Sequence, residues 1–198
     1  MRKNLILGAV AGTALVLSSG SLALAAGGGS GSHHAQDGGA AARTSTVAPV
    51  VFACDGGAQK QVKNRIVSSP FTFGEAAAGV DTFIPGAGVA ISGPSRGTDT
   101  LVVTVSGETR LSGSTGTQDW IGLEVKVDGV NIKPFTAAGD VMAFSGSPTW
   151  NLHSATFCAK VGPGTHSVRA FTNLADFDTD DTLSGWIDDY TLSVERSE

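Results

Sequence analysis

The chain has 198 residues, with 13 Lys and Arg against 18 Asp and Glu, a formal charge of -5 and a pI near 5.3. Its basic residues are scattered rather than clustered, which argues against nucleic acid or an anionic membrane as a partner. It has two cysteines, Cys54 and Cys158, with no second cysteine close to either, which argues against a zinc site.

In chain order, the first segment is "MRKNLILGAVAGTALVLSSGSLALAA". Arg2 and Lys3 precede an apolar run from Leu5 to Leu17, and small residues follow up to Ala23-Leu24-Ala25. That order predicts a secretory signal peptide, residues 1–25, cut after Ala25. The run is interrupted by Gly8 and Gly12 and falls short of the roughly 20 apolar residues of a membrane span. Residues 26–46 are Gly, Ala and Ser with no apolar period, and read as a flexible leader. Residues 47–198 then form one domain, long enough to bury roughly two thirds of its unfolded surface. In an exported chain Cys54 and Cys158 are expected to form one disulfide.

Within the domain the apolar residues alternate and do not follow a helical period. "TLVVTVSG" places Leu101, Val103 and Val105 on one face, and "DWIGLEVKVDGVNI" places Ile121, Leu123, Val125 and Val127 inside with Glu124 and Lys126 outside. Both are half-buried antiparallel strands. Asp128-Gly129 predicts a two-residue hairpin turn, and Gly162-Pro163-Gly164 predicts a second hairpin. Further strands are expected at 48–53, 62–68, 87–92, 150–161 and 186–195. About eight short strands with almost no helix predict an all-β fold. The expected architecture is a single antiparallel two-sheet β-sandwich, jelly-roll-like, with a closed barrel as the alternative. On "NLHSATFCAKV" the core face is Ala155, Phe157, Ala159 and Val161, so Cys158 points outward and the disulfide ties the N-terminal strand across the outside of a sheet.

Four patterns bear on chemistry. "GPSRG" has the spacing of a hydrolase nucleophile elbow around Ser95, but that elbow needs a following helix and here a strand follows. Asp188 and Asp189 are adjacent on a strand, so they face opposite ways and cannot flank one glycosidic bond; they read as a strand boundary. Asp176, Asp178, Asp180 and Asp181 have the alternate spacing with which a loop collects oxygens for calcium, although the Gly and Glu of an EF-hand are missing. The preferred reading of that stretch is a solvated loop, with structural calcium as the alternative. Among the aromatics, Trp120 and Trp150 have outward parity and are candidate sugar-stacking platforms, while Trp186 shares parity with Tyr190, Leu192 and Val194 and is expected in the core.

The closing "GWIDDYTLSVE" resembles the last strand of galactose-binding-like jelly rolls in secreted carbohydrate-binding modules. In those modules a carboxylate of this strand can help hold a structural calcium, which the resemblance carries onto Asp188 and Asp189. The longer pattern runs through "SSPFTFGEAAAGVDTFIPGAGVAISGPSRGTDTLVVTVSGETRL", "WIGLEVKVDGVNIKP", "GTHSVRAF" and "WIDDYTLSVE". It resembles uncharacterised exported β-sandwich proteins of high-GC Gram-positive bacteria, and that resemblance brings no activity with it. The expectation is therefore a secreted or wall-associated, non-catalytic binding or adhesion module contacting a glycan, a cell-wall polymer or an extracellular protein. A structural component of the cell surface with no small ligand is the alternative, and a glycoside or ester hydrolase is the third choice.

Overall fold

A computed structural model of the chain describes residues 53–74, 78–113, 119–134, 142–177 and 182–198. All belong to the compact unit Ala48–Glu198. The strands are β1 (Gln59–Val67), β2 (Phe71–Gly74), β3 (Thr82–Ser92), β4 (Asp99–Ser112), β5 (Trp120–Val127), β6 (Val130–Asn131), β7 (Met142–Ser145), β8 (Asn151–Val161), β9 (Thr165–Ala175) and β10 (Ser184–Ser197). They form two antiparallel sheets, one ordered β1-β10-β4-β8 with β2 also on β10, the other β3-β9-β5-β6 with β7 also on β5.

The ten strands occupy eight positions. β1 pairs with Tyr190–Ser197 of β10 and β2 with Ser184–Ile187, so the two are one interrupted edge strand. The break falls at Ser68–Pro70, where Pro70 has no N–H to donate. In the same way β6 and β7 share one side of β5. Two four-strand layers wound in this order make a jelly-roll sandwich. Leu101, Val103, Val105, Ile121, Leu123, Val125, Phe157, Val168, Leu192 and Val194 fill the space between the sheets, on the faces that alternation predicts.

The disulfide joins Cys54 to Cys158 with a Cα–Cα distance of 5.9 Å. Cys158 shares its face of β8 with Thr156 and Lys160, away from Phe157, so the bridge lies on the outside of the sheet. From there residues 54–59 form a strap across the full width of that sheet. The Asp55 carbonyl accepts from Thr100 Oγ1 of β4 at 2.6 Å and from Lys160 Nζ of β8 at 3.0 Å. Gly56 then passes Ser197 of β10, where an added Cβ would sit 1.9 Å from Ser197 Oγ. The expected strand at 48–53 falls outside the described residues except for Ala53, which is not in a strand.

Three local expectations are corrected. Gly162-Pro163-Gly164 does not close a hairpin: β8 pairs with β4 in one sheet and β9 with β3 and β5 in the other, so the turn carries the chain between layers. Asp188-Asp189 is not a strand boundary but a bulge inside β10. Asp188 pairs with Glu108 and Thr191 with Ser106, leaving Asp189 and Tyr190 opposite the single residue Gly107. Asp189 takes φ 43°, a left-handed conformation that Asp tolerates. The extra residue shifts the strand's phase, so Ile187 takes the core position and Trp186 turns outward beneath the Arg110 guanidinium, 5.3 Å from the ring centroid.

The Asp128-Gly129 turn forms as predicted, with φ 52° and 84° joining β5 to β6. It is tied to the inter-sheet turn by His166, whose Nδ1 lies 2.7 Å from Asp128 Oδ2 and whose Nε2 lies 2.9 Å from the Gly162 carbonyl oxygen. Both partners are acceptors, so both ring nitrogens donate and the bound form is imidazolium. The Asp128 hydrogen bond, then the Gly162 carbonyl, raise the His166 pKa above 6.5. The His166 and Ser167 contacts lower that of Asp128 below 3.8. The histidine's contribution is fully present below pH 6.5 and is lost as pH rises through its raised folded value. The aspartate's is present above pH 3.8 and is lost as pH falls through its lowered one. Because Asp128 is half exposed, the effect stays near that of a surface pair, about 0.5 kcal/mol. Urea unfolding at pH 6 and pH 9 is expected to show wild type losing that much more stability than His166→Gln over the same range.

Candidate functional site

The outer face of the β3-β9-β5-β6 sheet carries a cavity of about 570 Å³ lined by Gly79, Val80, Asp81, Trp120, Glu124, Asn131, Asn173, Leu174, Ala175 and Phe177. Register explains how they meet. Trp120, Gly122, Glu124 and Lys126 share the outward face of β5, and pairing with β9 sets Trp120 beside Ala175, Gly122 beside Asn173 and Glu124 beside Phe171. Gly122 has no side chain to fill the space between Trp120 and Glu124. Asp81 arrives from the start of β3, and Asn131 from the return of the Asp128-Gly129 hairpin.

One wall is aromatic. The Trp120 and Phe177 rings stand 5.0 Å apart at 40°, and Phe177 is 61% exposed. The Phe177 N–H donates to Asp119 Oδ1 at 3.0 Å, anchoring the end of β9 to the start of β5.

The floor is polar and connected. Lys126 Nζ donates to Asp81 Oδ2 at 2.5 Å, lies 3.5 Å from Glu124 Oε2 and sits 4.8 Å over the Phe171 ring. Asn131 Nδ2 donates to Glu124 Oε1 at 3.1 Å, and Asn173 Nδ2 donates to Asp81 Oδ1 at 3.4 Å. Burial raises the Glu124 pKa, and the neighbouring Asp81 charge raises it further. Burial also works to raise Asp81, but Lys126 outweighs it and the net shift is downward. Asp81 therefore ionises before Glu124, which keeps its proton to higher pH than an ordinary glutamate.

Among the described residues, four buried polar atoms of this lining have no hydrogen-bond partner: Trp120 Nε1, Asn131 Oδ1, Asn173 Oδ1 and Glu124 Oε2, the last with Lys126 Nζ 3.5 Å away. Buried polar groups are nearly always satisfied, and each orphan costs about 1–3 kcal/mol. Four around one cavity leave it able to hydrogen-bond whatever occupies it, water or a ligand.

The chain matches no protein-family model and no curated protein sequence.

Of the candidate ligand and metal residues named from the sequence, Trp120 lines this cavity. Trp150 is 45% exposed just before β8, beside a turn in which Asn151 Nδ2 donates to Ser147 Oγ and the Thr149 carbonyl, and it is not part of the cavity wall. Asp176 is half-buried next to Phe177, while Asp178, Asp180 and Asp181 lie outside the described residues. Among the described residues no group of three or more His, Cys, Asp or Glu is placed to hold a metal ion. Ser95 is exposed in the turn between β3 and β4 with no helix after it, as its context predicts. Asp81, Asn131, Asn173 and Phe177 carry no motif. Asn131 and Glu124 lie in the expected "DWIGLEVKVDGVNI" pattern, where Glu124 reads as outward, while Asp81, Asn173 and Phe177 fall outside the strands read from sequence.

Proposed function

We propose that this protein is an exported, non-catalytic binding module whose cavity on the outer face of the second sheet holds a sugar unit of an extracellular or cell-wall glycan. The supporting observation is the pairing of an aromatic wall, Trp120 and Phe177, with four orphaned polar atoms. A sugar ring has an apolar C–H face to lay on an aromatic ring and hydroxyls around its edge to bond the orphans, so it suits both parts of the site. The disulfide is compatible with an oxidising, extracellular setting. A binding role fits better than hydrolysis, because the lining carboxylates Asp81 and Glu124 are drawn to one ammonium.

Pull-down of the purified protein on insoluble cell wall, chitin, cellulose and xylan is the test. Selective retention on one polymer is expected, with Trp120→Ala and Phe177→Ala each lowering affinity at least about tenfold, the value of one lost stacking contact with its hydrogen bond. Trp150→Ala is expected to bind as wild type. Calcium is included so that any contribution from the aspartate loop is registered.

A second reading, a surface-assembly component, draws on β1. This edge strand exposes Ile66 at 77% and Val62 at 41%, and such edges favour strand pairing between chains. No retention on any polymer, together with concentration-dependent association relieved by Ile66→Lys, would favour it.

A further inference from the structure

We propose that the sugar unit seated in the cavity carries a free, protonated amine, so that the preferred ligand is an N-deacetylated amino-sugar polymer. The inference rests on the saccharide reading above and adds the chemistry of the bound unit.

Donor and acceptor geometry points to an amine. An amide side chain offers one donor end and one acceptor end, and here the donor ends are already used. Asn131 turns its NH₂ to Glu124, and Asn173 turns its NH₂ to Asp81. With both carboxyls ionised, the reverse orientation would set each amide oxygen against a carboxylate oxygen, so the network then leaves both carbonyl ends free. With Glu124 Oε2, whose ion-pair partner Lys126 Nζ stands 3.5 Å off, they make, among the described residues, three acceptors without a hydrogen bond against one such donor, Trp120 Nε1. An ammonium brings three donors and no acceptor, while a neighbouring ring oxygen or hydroxyl can accept from the indole.

Charge points the same way. The charged residues lining the cavity, among those described, are Asp81 and Glu124, with Lys126 bonded behind them. One cation, Lys126, already serves both carboxyls, at 2.5 Å from Asp81 and 3.5 Å from Glu124, so Glu124 is the less compensated of the two and the one a second cation would meet. Aromatic faces are electron-rich and attract a cation laid against them, so the Trp120–Phe177 wall adds to the effect. A uronic acid would meet two carboxyl groups and a single free donor. An N-acetyl group would replace the three ammonium donors by one N–H and add a carbonyl with the same single donor to meet.

The test is calorimetric titration of the whole exported protein with a glucosamine oligomer and an N-acetylglucosamine oligomer of matched length, at a pH where the amine is protonated. The free-amine oligomer is expected to bind about tenfold tighter, the scale of one partly desolvated cation contact. Glu124→Gln, which keeps shape and removes charge, is expected to bring the two within about twofold, and Trp120→Ala to weaken both. Equal or tighter binding of the N-acetylated oligomer overturns the amine proposal and leaves the saccharide reading standing. Binding of neither, with no retention on wall, cellulose or xylan, overturns both. Because the protein is acidic overall, one further outcome counts against the proposal: free-amine binding that is unchanged in Glu124→Gln and Trp120→Ala, or matched by an oligolysine, is unspecific attraction of a polycation.

Discussion

Replacing Cys54 and Cys158 together by serine is expected to lower the stability of the domain by about 4–5 kcal/mol. The bridge spans 104 residues of sequence, so in the chain-entropy view it removes much of the freedom of the unfolded chain. It also holds the strap of residues 54–59, which reaches from β8 over β4 and β10 to β1 and so ties all four strand positions of one sheet. Without the bridge, that strap is held by the Asp55 carbonyl contacts to Thr100 and Lys160 and by the Gly57 N–H donating to the Glu198 carbonyl. Urea unfolding of the oxidised wild type and the double-serine variant measures the difference. A difference under about 1 kcal/mol would mean that the bridge adds little to the native strap.

The second large effect is expected at Gly107, where Ala should cost about 3 kcal/mol, the upper end of the range for overpacking. Gly107 faces the β10 bulge, and a Cβ there would lie 2.8 Å from Tyr190 Cβ, 3.3 Å from Tyr190 Cα and 3.4 Å from the Asp188 carbonyl oxygen. Tyr190 has no easy retreat. Its ring is buried in the core and its hydroxyl donates to the Pro85 carbonyl of β3, in the opposite sheet. Moving it would disturb both layers. Ser106→Ala, one residue away, is expected to stay within about 0.5 kcal/mol of wild type by the same unfolding measurement.

These two sites differ in how much of them can be read from sequence. The disulfide and its position outside the sheet follow from alternation on "NLHSATFCAKV", because side chains on a strand change face at every residue. The bulge does not follow. "GWIDDYTLSVE" reads as unbroken alternation, and only pairing with β4 shows that Asp189 and Tyr190 share one partner. That single extra residue is why Trp186, expected in the core, faces outward. The Gly162-Pro163-Gly164 turn reads as a hairpin for a related reason: local turn chemistry is the same whether the next strand pairs with its predecessor or crosses to the other sheet.

The cavity was legible only at Trp120. Its other members come from β3, β5, the β6 return and β9, and are brought together by register between strands distant in sequence. Outward parity marks Glu124 as a surface residue, and Asn173 carries no sequence signal. What makes them part of a site is their burial beneath Trp120 and Phe177 and the amide orientations fixed by Asp81 and Glu124, and neither has a one-dimensional signature. Conversely, Trp150 shares the outward parity of Trp120 but does not line the cavity.

The most direct measurement of the central claim is a titration followed by the indole N–H resonances of the three tryptophans in ¹⁵N-labelled protein, with glucosamine oligomer as the probe. The Trp120 signal is expected to move in a saturable way, as its unpartnered Nε1–H gains an acceptor, while Trp150 and Trp186 stay in place. Movement confined to Trp150, or no movement of any indole signal with wall, cellulose or xylan fragments as well, would contradict a saccharide site in the cavity.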